Sequence, residues 1–266
     1  MKVCAIAFDA EWKNPKANSA KKEQHIQKAL DLYPETQTIL FPETSFTGLV
    51  LDEEINNLAE ERNGFCVSET RRLARKYKVN LISGFIEKGP NKRPRNALCV
   101  VDRQGNLKAV YHKNHLFTLS AEPQVFDRGD GLVVCELDGW RCGFFICFDI
   151  RFPRLFEAYK KAGVECLFGA LNWLQGRNKP DLFDTLVKAR AHENRLFIVA
   201  VDRSGKDPKF VYTEKCCIAN PYGESCISNS QHPYYYAELQ KADVETVNKM
   251  FPLMDSFRPE YSVQSE

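Results

Sequence analysis

Short apolar runs alternate with amphipathic segments through the first two-thirds of the chain. Val3 to Phe8 and Thr38 to Phe41 read as buried strands, the second stopped by Pro42. Between them, Lys21 to Leu32 predicts a helix with Ile26, Ala29, Leu30 and Leu32 on its apolar face. Phe65 to Tyr77 predicts a second helix, with Cys66, Leu73 and Tyr77 on one stripe. Asn80 to Ile86, Ala97 to Asp102 and Lys108 to Tyr111 are predicted strands. A polar loop, Thr118 to Asp130, follows. Leu132 to Leu137 and Trp140 to Cys147 then make a hairpin around Asp138-Gly139, a dipeptide suited to a tight turn. A helix from Leu155, a strand Glu165 to Gly169, a helix Leu182 to Glu193 and a strand Leu196 to Val201 continue the alternation. The remainder is β-rich, with strands Lys215 to Ala219 and Tyr235 to Leu239, a Pro221-Tyr-Gly turn between them and a helix Val244 to Met250. A tail from about Pro252 carries Phe257 and Tyr261 as apolar surface to bury. With no linker, repeat or low-complexity segment, the pattern predicts one α/β domain over residues 1–266.

Composition narrows the partners. The 266 residues are 44% hydrophobic and 27% charged, an ordinary soluble balance. A formal charge of +2 gives no electrostatic reason to expect nucleic acid or an anionic membrane surface. No apolar run approaches the roughly 20 residues of a membrane span. The first residues turn acidic at Asp9, too soon for a signal peptide. No Gly-x-Gly-x-x-Gly or phosphate-loop pattern points to a nucleotide. Ten cysteines are present, but Cys4, Cys99, Cys135, Cys142 and Cys166 lie inside strand-like runs and no Cys-x-x-Cys pair exists. Cys216 and Cys217 are adjacent, so a strand would send them to opposite faces. A reducing cytoplasm is the expected location.

The candidate chemistry lies just past strand ends. Glu43 follows Thr-Ile-Leu-Phe-Pro, Lys113 follows Ala-Val-Tyr-His, Cys147 follows Phe-Phe-Ile, and Asn172 follows the strand from Glu165. Ligands of layered α/β folds sit outside the carboxyl ends of strands. A carboxylate, an ammonium and a thiol form a coherent set there. Glu43 would take the thiol proton, Lys113 and the Phe148 N–H would hold developing negative charge, and Cys147 would attack a carbonyl or nitrile carbon. Each residue also has a structural reading. Cys147 suits a core, Glu43 a cap, Lys113 a surface ion pair and Asn172 a turn.

Three ordered segments resolve the choice. Leu40-Phe-Pro-Glu43, Tyr111-His-Lys-Asn-His-Leu-Phe117 and Cys147-Phe-Asp-Ile-Arg-Phe-Pro153 resemble the catalytic motifs of the nitrilase (carbon–nitrogen hydrolase) superfamily. Leu171-Asn-Trp173, Arg190-Ala-His-Glu-Asn194 and Asn220-Pro-Tyr-Gly223 agree as flanks, so the likeness runs from Val3 to about Phe251. The resemblance implies a four-layer αββα sandwich, usually a homodimer, needing no metal or cofactor. It implies Glu43 as base, Lys113 as oxyanion stabiliser, Cys147 as nucleophile and Glu122 as an assisting glutamate, with Phe148, Asn172 and Trp173 on the substrate side.

The cysteine motif is unlike the Cys-Trp-Glu of true nitrilases, so the implied substrate is a small amide. His-Lys-Asn-His-Leu-Phe and the Gly139-Trp-Arg141 approach look most like bacterial omega-amidases, which act on short dicarboxylic monoamides such as 2-oxoglutaramate or succinamate. Arg151 and Arg177 are the candidate cations for a substrate carboxylate, the alternative for Arg151 being an ion pair with the Asp149 loop. Three departures bear on specificity: Asp9 where glutamine is common, Leu174 where proline is usual, and Lys215-Cys216-Cys217 where small and hydroxyl residues are usual. The rival readings are an N-carbamoyl amino acid hydrolase of the same superfamily, a papain-like cysteine–histidine pair using His192, and a metal or redox protein using His112, His115 and the Cys216-Cys217 pair.

Overall fold

The computed structural model describes residues 1–91, 93–256 and 258, so Phe257 and Tyr261 lie outside the described residues. One sheet is built from β1 (Lys2–Ile6), β2 (Thr38–Leu40), β3 (Asn80–Glu87), β4 (Arg95–Val101), β5 (Leu107–His112), β11 (Asn229–Gln231) and β12 (Tyr234–Glu238). Its order is β11-β12-β1-β2-β3-β4-β5, with β1, β2 and β3 parallel and the other pairs antiparallel. The second sheet holds β6 (Val134–Leu137), β7 (Trp140–Ile146), β8 (Cys166–Leu171), β9 (Phe197–Asp202) and β10 (Cys216–Ala219) in the order β10-β9-β8-β7-β6. The helices are α1 (Pro15–Leu32), α2 (Ile55–Leu58), α3 (Phe65–Tyr77), α4 (Glu122–Val125), α5 (Pro153–Lys161), α6 (Lys179–Asn194) and α7 (Lys241–Met250).

Side-chain alternation fixes how these layers stack. Val3 and Ala5 of β1 share a core with Phe144, Phe168 and Val199 of the second sheet. Their neighbours Cys4 and Ile6 pack instead with Ile26 and Ala29 of α1 and Leu73 and Ala74 of α3. On the far side, Phe145, Leu167 and Ile198 meet Phe156 and Tyr159 of α5 and Phe183 and Val187 of α6. The result is a four-layer αββα sandwich in a single domain. Both faces of the central strands are covered, which explains why they read as continuous apolar runs. Cys217 packs toward the helices and Cys216 toward the inter-sheet core, on opposite faces.

Several boundaries differ from the sequence reading, each for a local reason. The first helix starts at Pro15, not Lys21. Asn14 caps it by accepting from the Ala17 N–H at 3.1 Å, and proline at the first helical position loses no needed donor. Its first turns bury Asn18, Ser19 and Lys22, so apolar periodicity could not reveal them. The strand expected to include Cys147 stops at Ile146, and Cys147 opens a 3₁₀ turn running to Arg151. The expected polar loop contains the short α4, and α2 and β11 carried no recognisable pattern.

Candidate active site

The carboxyl ends of β2, β5, β7 and β8 deliver Glu43, Lys113, Cys147 and Asn172 to one place. Glu43 and Lys113 are each 1% exposed, so both charges depend on partners within the protein. Lys113 Nζ donates to Glu43 Oε1 at 2.9 Å and to Glu122 Oε1 at 2.8 Å. Asn96 of β4 donates its Nδ2 to Glu43 Oε1 at 2.7 Å, and the Asn172 N–H donates to Glu43 Oε2 at 2.8 Å. Glu122 Oε2 accepts from the Phe117 N–H at 2.9 Å, which holds the α4 loop over the site.

Backbone strain shapes two of these positions. Cys147 has φ 42°, a left-handed conformation that costs a non-glycine residue about 1–2 kcal/mol. It breaks the strand direction sharply and leaves the thiol half-buried, with Sγ 3.6 Å from the Asn172 carbonyl oxygen. The next amide, of Phe148, lies in the first turn of the 3₁₀ segment, where no intrahelical acceptor is available. Thr44, at φ 46°, turns the chain after Glu43, and its Oγ1 accepts from Asn172 Nδ2 at 2.9 Å. This turn lies directly on Gly84 of β3, where any Cβ would sit 2.3 Å from the Thr44 nitrogen.

The charges act on one another. Burial pushes the Cys147 thiol well up, and the Glu43 carboxylate adds to that, while Lys113 opposes it. Burial likewise raises Glu43, with Lys113 pulling the other way and Glu122 raising it further. Burial disfavours the Lys113 ammonium, yet Glu122 and Glu43 together hold it well above the ordinary lysine range. The resting site is therefore a thiol beside a buried ammonium and a carboxylate able to accept a proton.

The pattern of the carbon–nitrogen hydrolase family matches residues 3–249 of this sequence. The chain belongs to that family. It is 27% identical to the 2-oxoglutaramate amidase of Bacillus subtilis (strain 168), over 96% of this chain and 97% of that one. It is 32% identical to a probable nitrilase of Schizosaccharomyces pombe, over 79% of this chain and 76% of the relative. The crystal structure of a carbon–nitrogen hydrolase from Helicobacter pylori G27 superposes with a TM-score of 0.89 at 20% identity, covering 97% of this chain and 95% of that one. The protein is thus an amidohydrolase of the nitrilase superfamily, acting on carbon–nitrogen bonds.

The hydrolase has a cavity above the thiol, lined by Glu122, Cys147, Phe148, Arg151, Asn172 and Trp173 among others. Arg177 is absent from that lining and exposed, because the loop after Trp173 runs outward before α6 begins. Lys179, which the sequence did not single out, stands there instead. Arg151 makes no pair with Asp149. That carboxylate accepts from the His115 N–H at 2.9 Å, from Tyr111 Oη at 2.8 Å and from the Ile146 N–H at 3.0 Å, tying the lysine loop to the cysteine turn.

Asn96 and Gly84 were also missed. The available signals were an asparagine at the edge of an apolar strand and a glycine inside one. The cysteine–histidine and metal readings find no matching geometry among the described residues. His192 is exposed and outside the cavity lining, His112 pairs with Glu87, and His115 with Asp149. Among the described residues, no group of three or more His, Cys, Asp or Glu could hold a metal ion, and no helix is long and apolar enough to cross a membrane.

Proposed function

We propose that this hydrolase cleaves the terminal amide of a small carboxylate-bearing amide, of the 2-oxoglutaramate or succinamate kind, to the acid and ammonia. The supporting observation is the Glu43–Lys113–Glu122 network, buried beside a strained, half-buried thiol. Cys147 gives its proton to Glu43 as its sulfur bonds to the amide carbon. Lys113 and the Phe148 N–H hold the oxyanion, donors typically worth about 3–4 kcal/mol each in the transition state. Glu43 returns the proton to the nitrogen as the C–N bond breaks, leaving a thioester. Water, losing a proton to Glu43 or Glu122, then attacks the thioester, and the sulfur leaves and is reprotonated. The likeness to a 2-oxoglutaramate amidase and the cations of the cavity wall favour an anionic amide. The enzyme works in this reading as a cytoplasmic homodimer without metal or cofactor.

Ammonia release from 2-oxoglutaramate, succinamate, glutamine and an N-carbamoyl amino acid tests the proposal. The first two should be hydrolysed fastest, and Cys147→Ala should abolish turnover. Preference for the carbamoyl compound would reject the omega-amidase assignment, and wild-type rates in Cys147→Ala would reject the mechanism.

A further inference from the structure

Two cations, Arg151 and Lys179, line the cavity around Trp173. Arg151 belongs to the turn after Cys147, and Lys179 is the first residue of α6. The Arg151 guanidinium carbon and Lys179 Nζ each lie 5.0 Å from the centre of the Trp173 ring. Trp173 is itself held by its Nε1, which donates to the Lys179 carbonyl at 2.8 Å. Among the described residues, neither cation forms an ion pair with a carboxylate. The one carboxylate in the lining, Glu122, is committed to Lys113 and the Phe117 N–H. Leu49, Leu51, Leu174 and Phe210, which complete much of the lining, offer a charged group nothing.

We infer that Lys179 is a specificity-determining residue that, with Arg151, receives the carboxylate of the substrate. This deepens the amidase reading above and rests on it. Like charges gathered around one indole ring raise each other's energy, and an anion bound close to both relieves this. Burial first, and Arg151 second, already disfavour the Lys179 ammonium. The two groups are complementary: Arg151 offers a planar fork and Lys179 a mobile point charge. A neutral amide of the same length would gain nothing from either.

Succinamate and butyramide differ at the far end of the same chain, a carboxylate against a methyl group. For Lys179→Met, the ratio of kcat/KM for succinamate to that for butyramide should fall about 10- to 100-fold, as expected for loss of a charge-assisted contact, and KM should carry the change. Lys179→Arg should recover most of it. Competitive inhibition by succinate should weaken in parallel. Circular dichroism and thermal unfolding of each variant establish that it is folded. A ratio within about threefold of wild type in folded Lys179→Met overturns the assignment. A wild-type enzyme that prefers butyramide rejects the carboxylate substrate class itself, a failure visible before any variant is made.

Discussion

The main-chain N–H of Asn172 donates to the second carboxylate oxygen of Glu43 at 2.8 Å, across 129 residues of sequence. It joins the end of β8 in one sheet to the end of β2 in the other. The remaining Glu43 oxygen takes Lys113 and Asn96, so every partner of this carboxylate is a donor.

That arrangement predicts the behaviour of Glu43→Gln. An amide must turn its NH₂ toward one set of donors, losing those hydrogen bonds as well as the proposed base. Turnover should fall about 10²- to 10⁴-fold, the usual worth of a positioned base, with a lowered melting temperature. Steady-state ammonia release and thermal unfolding check both, and an unchanged kcat/KM would remove Glu43 from the mechanism.

Gly84 predicts a defect without any change in chemical groups. A methyl at this position would also lie 2.6 Å from the Pro42 carbonyl oxygen, and the Glu43 turn must move to admit it. Gly84→Ala should remain folded yet lose about 100-fold or more in kcat, because displacement of about 1 Å is enough for that. Activity within a few-fold of wild type would show that the turn tolerates the shift.

If Glu43 is the base proposed above, the acid limb of the pH profile should report on it. Burial first, then the Glu122 charge against the pull of Lys113, hold its carboxyl above the ordinary range. In its proposed role as base it must be unprotonated, so kcat/KM should fall as pH drops through a value above about 4.3, the unperturbed glutamate pKa. Glu122→Gln removes a raising influence, and the limb of the residual activity should move to lower pH. An unmoved or higher limb would argue against Glu43 as the titrating group.

Lys22 predicts a pH-dependent stability remote from catalysis. Its ammonium nitrogen lies 3.3 Å from the centre of the Phe46 ring and donates to Ser83 Oγ, and burial pushes its pKa down to about 7. The unfolded chain keeps that proton up to about pH 10.4. Between these values the unfolded state binds more protons, so stability rises with pH, and the penalty is complete below the folded value. Lys22→Met should be more stable than wild type at pH 7, with the difference shrinking toward pH 10. Urea unfolding at several pH values measures it, and a constant difference would mean that Lys22 does not titrate there.

Much of this protein could be read from local pattern. Strand-ending positions exposed Glu43, Lys113, Cys147 and Asn172, because where a strand stops is decided by a few neighbouring residues such as Pro42. Ordered motifs then identified the family, and two-sided apolar runs announced a layered sandwich. The tertiary structure alone decided which side chains share the cavity. Lys179 faces it and Arg177 does not, since the path of the loop between them depends on how α6 docks. Asn96 and Gly84 acquire their roles only when β4 and β3 are laid under the Glu43 turn. The strained backbone at Cys147 is paid for by long-range packing around it. Contacts joining residues 53, 70 and 129 positions apart hold the site together, and a window along the chain contains no term for them.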